Sequence, residues 1–206
     1  MTQSRRLPIS IQRREFTIRV DGQALPRSEH LLSLWINNSV NRIAAARLVF
    51  QDGSASAGDF PLSNADTFKP GAEVEFLAGD SSETELLFKG VVEDHKLKVR
   101  SGEPARLIVD CKHPAVRMTV ARHSAYFFDQ SDSDVISGLF EQAGISADVS
   151  STGVTHRQLV QFHATDWDFC LMRAQANGLV LLSKEDGAIE VKSPEAVGDP
   201  VITLQY

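Results

Sequence analysis

Side chains able to do chemistry gather at three places in this sequence. Residues 163–168 read His-Ala-Thr-Asp-Trp-Asp, which sets His163, Asp166 and Asp168 in one short run. A histidine beside two carboxylates is a set from which acid and base catalysts are drawn. Glu93-Asp94-His95 is a second polar cluster, which could supply an acid and a base for hydrolysis but reads first as a solvated edge or an intersubunit contact. The third group is scattered: His113 and His123 lie ten apart, and His156 and His163 seven apart. Neither pair has the four-residue spacing, with an added Glu or Cys, that marks a zinc site. Cys111 and Cys170 lack any CxxC-type spacing and read as reduced, buried thiols. No GxSxG, Walker or GxGxxG motif is present. No metal, cofactor or catalytic residue is therefore expected.

The elements that must position these groups weaken the catalytic reading further. Thr165 is suited to cap a helix whose first turn holds Asp166 and Asp168, where the helix dipole and free N–H groups favour carboxylates. Two positions apart on a helix is about 200°, so the pair does not converge on one cleft. Trp167, Cys170, Leu171 and Ala174 then form one buried stripe, and Gly178 ends the helix before the apolar run Leu179–Leu182. An earlier helix opens at Ser131-Asp132-Ser133, carries Val135, Ile136, Leu139, Phe140 and Ala143 on one face, and stops at Gly144. Residues 188–191 and 201–204 read as further strands.

The first hundred residues alternate apolar and polar side chains: Phe16, Ile18, Val20; Leu32, Leu34, Ile36; Leu48, Phe50; Val74, Phe76; Leu86, Phe88. Turn signals at Asp21-Gly22, Asp52-Gly53, Pro70-Gly71 and Gly79-Asp80 separate them. Five or six strands fit, which suggests a small barrel or sandwich. Residues 53–68, rich in small side chains, read as a long surface loop. Trp35 and Trp167 sit in periodic apolar runs and read as core or interface anchors.

The bulk properties exclude several classes. With 206 residues, 42% hydrophobic, the chain can bury real cores without staples. Its net charge of -6 supplies no field for phosphate, so nucleic acid is not an expected partner. Its apolar runs fall far short of the ~20 residues of a membrane span, and no apolar segment follows Arg5 and Arg6, so a cytoplasmic chain without membrane insertion is expected. An aromatic content of 7% offers no row of stacking platforms for a carbohydrate-binding module.

The order of segments carries a resemblance. LFKGVVEDH, then LIVDCKHPAVRM, a capped helix, and FHATDWDFCLMRAQANGLVLL follow the β-rich opening. The chain resembles the hub region of VgrG-type spike proteins and, more broadly, the phage tail family that includes late control protein D and the baseplate hub. The matching residues are Leu87, Phe88, Gly90 and Val92 in one strand, Phe128, Ser133, Asp134 and Ile136 around the first helix, and Thr165, Asp166, Asp168, Phe169, Arg173, Ala174 and Gly178 in the second. The resemblance runs from about residue 12 onward. It implies an α+β, β-dominated fold: a small β-barrel-like hub domain over 1–110, and an α/β unit over 111–206 with helices near 132–143 and 166–177, cut short before the second barrel of the family. It further implies a structural, non-enzymatic homotrimer that joins a threefold spike to the hexameric tail tube, with other baseplate and spike-tip components as partners. Such a chain is held in the cytoplasm until assembly and then carried in the particle, which can be exported on firing. In that setting Thr165, Asp166, Trp167, Asp168, Phe169, Arg173 and Gly178 form a structural joint, and Arg47, Glu93 and His95, taken as lying on exposed β edges near 44–50 and 86–95, are candidate intersubunit contacts. The competing reading is a tail-associated hydrolase of cell-wall glycan, with Glu93 and a nearby acid held across a cleft.

Overall fold

The computed structural model describes residues 15–25, 31–53, 58–79, 84–101 and 103–194. Its first part is one antiparallel sheet of seven strands, β1 (Glu15–Val20), β2 (Gln23–Ala24), β3 (Leu31–Asn37), β4 (Ala45–Gln51), β5 (Glu73–Gly79), β6 (Thr84–Lys98) and β7 (Arg106–Lys112). They lie in the order β2-β1-β5-β6-β7-β4-β3. Alternation produces it: Leu48 and Phe50, Val74 and Phe76, Leu107 and Val109 are buried on one face while their neighbours in the chain point away. Asp21 and Gly22 both adopt positive φ, 48° and 79°, the geometry a tight hairpin between β1 and β2 requires.

Ile18 and Val20 of β1 share one apolar cluster with Leu34 and Ile36 of β3, although those strands lie near opposite ends of the sheet. The sheet therefore curls around its own buried face. Register shifts at Leu31/Ser33, Phe76/Leu77 and Val92/Asp94 supply the bends. Among the described residues no ladder joins β2 to β3, so the curl stops short of a closed barrel.

Four expectations need correction or qualification here. Residues 53–68 are not wholly a surface loop: α1 (Pro61–Asn64) and a 3-10 turn over Asp66–Phe68 fold back onto the sheet, residues 54–57 lying outside the described set. Phe68 is buried against Phe50 with ring centroids 5.3 Å apart, and the buried Asp52 carboxylate accepts from the N–H groups of Leu62 and Ser63 at 3.0 and 2.8 Å. One aromatic and one carboxylate anchor a segment whose small residues alone suggested solvent. β4 and β6 are interior strands, so the regions 44–50 and 86–95 are not sheet edges; β3 and the β1/β2 hairpin are. Trp35 is no core anchor, being 53% exposed on β3, whereas Trp167 is buried and meets Phe140 edge-on. The strand expected at 201–204 lies outside the described residues.

The second part begins with a 3-10 turn, Pro114–Thr119, and holds β8 (Arg122–Ser131), α2 (Asp132–Gln142), β9 (Ala147–Val149), β10 (Thr155–Thr165), α3 (Asp166–Ala176), β11 (Val180–Ser183) and β12 (Ile189–Lys192). β8 and β10 make a two-stranded ribbon; β11, β12 and β9 make a small sheet, with β9 parallel to β12. Both helices end at a glycine with φ of 70°, Gly144 and Gly178. In each the next residue donates back five positions, Ile145 to Phe140 and Leu179 to Ala174, both at 2.9 Å, which closes the helix and turns the chain into the next strand. The fold is α+β and strand-dominated, with its two long helices where the sequence placed them.

A second apolar core, built around Ile136, Phe140, Phe169, Cys170, Leu181 and Val191, lies beneath α2 and α3. The two parts meet through backbone and amide contacts: Asn41 and Leu181 exchange bonds of 2.8 and 2.9 Å, and Asn38 donates to the Ser183 carbonyl at 2.7 Å. His113 completes the seam. Its Nδ1 accepts from the Ala115 N–H at 3.1 Å, so Nε2 carries the proton and donates to the Ala188 carbonyl at 3.2 Å. Burial pushes this imidazole below its ordinary value and keeps it neutral.

At Gly90, β6 has no room for a side chain. A Cβ there would sit 2.4 Å from the Lys112 carbonyl oxygen and 2.6 Å from the Phe88 ring. Gly90→Ala is expected to cost about 2 kcal/mol of stability through overpacking, measured by chemical denaturation. An unchanged midpoint would contradict this placement.

Candidate functional site

The residues singled out at 131–134 and 165–168 lie at the helix N-termini, and the structure adds the partners that sequence reasoning missed. Asp132, the first residue of α2, is only 2% exposed. Its Oδ2 accepts from Arg173 Nη2 at 2.9 Å, from His156 Nε2 at 3.0 Å and from Asn177 Nδ2 at 2.9 Å, while Oδ1 accepts from Arg173 Nε. One carboxylate thus ties together α2, α3, the residue that follows α3, and the ribbon. Burial pushes the Asp132 carboxyl up, but hydrogen bonds from Arg173, Asn177 and His156, with the charge of Arg173, outweigh it and hold the group at about 2.

The start of α2 is closed by a reciprocal box: Asp134 N–H donates to Ser131 Oγ at 3.2 Å, and Ser131 N–H donates to Asp134 Oδ2 at 3.1 Å. At α3, Thr165 Oγ1 accepts from the Asp168 N–H at 3.1 Å. Asp166 stands against the ribbon, accepting from His123 Nδ1 at 3.0 Å and from Gln161 Nε2 at 2.8 Å. Asp168 is exposed and points elsewhere, while Trp167 and Phe169 enter the core, Phe169 stacking on Phe127 at 5.8 Å. Phe169 lay outside the expected stripe. His163 is not poised with the two aspartates; it sits at φ 47° in a ribbon bulge, where its N–H donates to Ser124 Oγ at 3.1 Å.

This arrangement holds parts together. Every strong donor around Asp132 is committed to it, and its proton stays off at all ordinary pH. The thiols are equally quiet: burial pushes Cys111 up to about 12 and Cys170 upward as well. Among the described residues no group of three or more His, Cys, Asp and Glu side chains could hold a metal. No helix there is long and apolar enough to cross a membrane.

Of the candidate contacts, Arg47 and Glu93 are turned to solvent on the sheet, whereas His95 pairs with the buried Val109 and faces the tucked segment. Arg47 grips Asp110 of the neighbouring strand with two hydrogen bonds, 2.6 and 3.2 Å. Glu93 lies 3.9 Å from Lys112, and Asp94 lies 2.7 Å from Lys96. His95 Nδ1 is 2.8 Å from the Phe68 carbonyl, so it helps seat the 3-10 turn.

The fold is shared with phage tail and type VI secretion proteins. The 43 kDa tail protein of prophage MuSo2 from Shewanella oneidensis superposes with a TM-score of 0.67 at 14% identity, over 87% of this chain and 53% of that one. An Escherichia coli component of the type VI secretion system, itself similar in structure to T4 tail proteins, gives 0.59 at 16% identity over 84% and 48%. A chain of the Francisella PdpA–VgrG complex gives 0.55 at 13% identity over 87% and 31%. This chain spans about half the length of the tail proteins it matches. No curated protein matches by sequence. The resemblance to VgrG and baseplate-hub proteins thus holds at the level of the fold. The family model of the Alg8 N-terminal domain matches residues 10–206, and the chain belongs to that family.

The acid limb of stability reports the joint. The folded value of Asp132 lies below its ordinary 3.8, so its contribution is complete above that pH and is lost as pH falls toward about 2. Asp132→Asn is expected to cost about 3 kcal/mol at neutral pH, because a half-buried Arg173 loses its partner. The gap between parent and variant in thermal midpoint should narrow between about pH 4 and 2. A gap independent of pH would contradict the assignment.

Proposed function

We propose that this chain is a structural hub element of a contractile injection apparatus, the segment that seats a trimeric spike on a hexameric tail tube. The observation that carries the reading is the fold: 87% and 84% of the chain superpose on tail and type VI components of about twice the length. The chemistry at the joint agrees with it, since Asp132, Arg173, His156 and Asn177 are spent on one another. In this reading residues 1–110 act as the hub domain and 111–206 as the α/β unit that braces it. Arg47 and Glu93 mark the sheet face offered to neighbouring subunits, His95 backing it by seating the 3-10 turn, and the finished particle carries the chain out of the cell on firing.

The work is assembly and load bearing, without turnover. Ring closure needs a buried interface on the order of 800 Å² per partner, far more than one ion pair provides. Light scattering after size-exclusion chromatography is expected to give the mass of a trimer, weakened by charge reversal at Glu93. A monomer at every accessible concentration, also with the tail-tube protein present, would overturn the trimeric hub. Purified chain is expected to leave a cell-wall suspension turbid. Clearing that Glu93→Gln abolishes would replace this reading with glycan hydrolysis.

A further inference from the structure

The β8–β10 ribbon carries an apolar face with no role in either core. Tyr126 and Phe128 alternate outward from β8, 64% and 58% exposed, and Val160 and Phe162 from β10, 46% and 82% exposed. Val160 lies directly opposite Tyr126, and the Tyr126 and Phe128 rings stack at 6.3 Å. The inner face, with Phe127, Leu159 and Gln161, already packs on the helices. Among the described residues the ribbon has only these two strands, so both outer backbone edges lack a ladder partner.

The two edges are not equivalent. β10 is broken between Gln161 and Ala164 by a bulge that lifts Phe162 outward. The bulge is pinned by Ser124, by Arg122 donating to the His163 carbonyl at 3.2 Å, and by Gln161 Nε2 donating to the Ala164 carbonyl at 3.1 Å. Bulges spoil an edge for pairing. β8 has ladder partners at Arg122 and His123 and without a break from Ala125 to Phe128, Ser124 alone standing opposite the bulge, and it has neither lysine nor proline to blunt its edge.

We propose that the β8 edge accepts an extended segment of a partner protein as a third strand, apolar in its alternate residues and acidic at its ends. Two observations select this occupant. The four exposed side chains offer on the order of 500 Å², at about 200 Å² for a whole aromatic. A stable pair of globular copies needs about 800 Å² each. A strand gains the rest from backbone hydrogen bonds along the edge. The charge is also complementary: the ribbon holds Arg122 and Arg157 against the single carboxylate of Asp129, in a chain of net charge -6. A basic, aromatic strip on an acidic protein selects acidic flanks and disfavours a second copy.

The test uses the full chain, labelled for amide NMR, and an acetylated, amidated nonapeptide of alternating valine and threonine between glutamate ends. Saturable shifts and slowed exchange are expected at the amides of residues 122–128, at least fivefold weaker when lysines replace the glutamates. They should be lost in Tyr126→Lys and weakened in Phe162→Ser, which leaves the β8 backbone untouched, and retained in Trp35→Ser, an exposed aromatic elsewhere. Absence of shifts, or equal binding of both peptides, would overturn the proposal. So would protection of the same amides in the free chain, whether by self-association seen as rising mass or by another segment of the chain itself.

Discussion

A carboxylate at 2% exposure is a liability that the fold around Asp132 must offset. An unpaired charge there would cost several kcal/mol, so the chain can close over it only when the guanidinium of Arg173, the imidazole of His156 and the amide of Asn177 all arrive. Those donors come from α3, from β10 and from the residue beyond α3. Satisfying one side chain therefore fixes the angle between the helices and the seating of the ribbon on them. His123 on Asp166 repeats the device at the other end of the ribbon, more exposed and correspondingly weaker.

The two cores are built by different rules. The sheet needs only alternation, bulges and one tucked segment, and it carries its ion pairs on the outside, where Arg47, Asp110, Lys96 and Asp94 form a row across neighbouring strands. The second core is held by helix caps, glycine stops and the buried joint. His113 and the Asn38 and Asn41 contacts stitch them with neutral hydrogen bonds whose strength does not depend on salt. With that combination neither half relies on exposed charge for its internal order.

Much of this was legible in the sequence where the signal is local. Gly144 and Gly178 announced helix ends, Thr165 a cap, and the alternation of Leu48, Phe50, Val74 and Phe76 a half-buried sheet. What escaped were pairings distant in the chain. Arg173 follows Phe169 by four on a buried helix, and a cation at the rim of an apolar stripe calls for a carboxylate, yet nothing in the spacing names Asp132, 41 residues earlier. The ribbon escaped for a related reason: Tyr126, Phe128, Val160 and Phe162 alternate outward, so an apolar period of two marked the face turned to solvent. Strand order decided the fate of Arg47 and Glu93, and order follows from which strands pair, which alternation alone leaves open.

The central claim is that Asp132 and Arg173 act as one unit that locks α2, α3 and the ribbon together. A double-mutant cycle on Asp132→Asn and Arg173→Gln, with stability from urea denaturation of each variant, tests it most directly. The account predicts a coupling energy of about 2 kcal/mol or more, with the second substitution costing little once the first is present. Losses that add to within about 0.5 kcal/mol would mean the two side chains stabilise the fold independently, and the joint would not be the element on which the architecture depends.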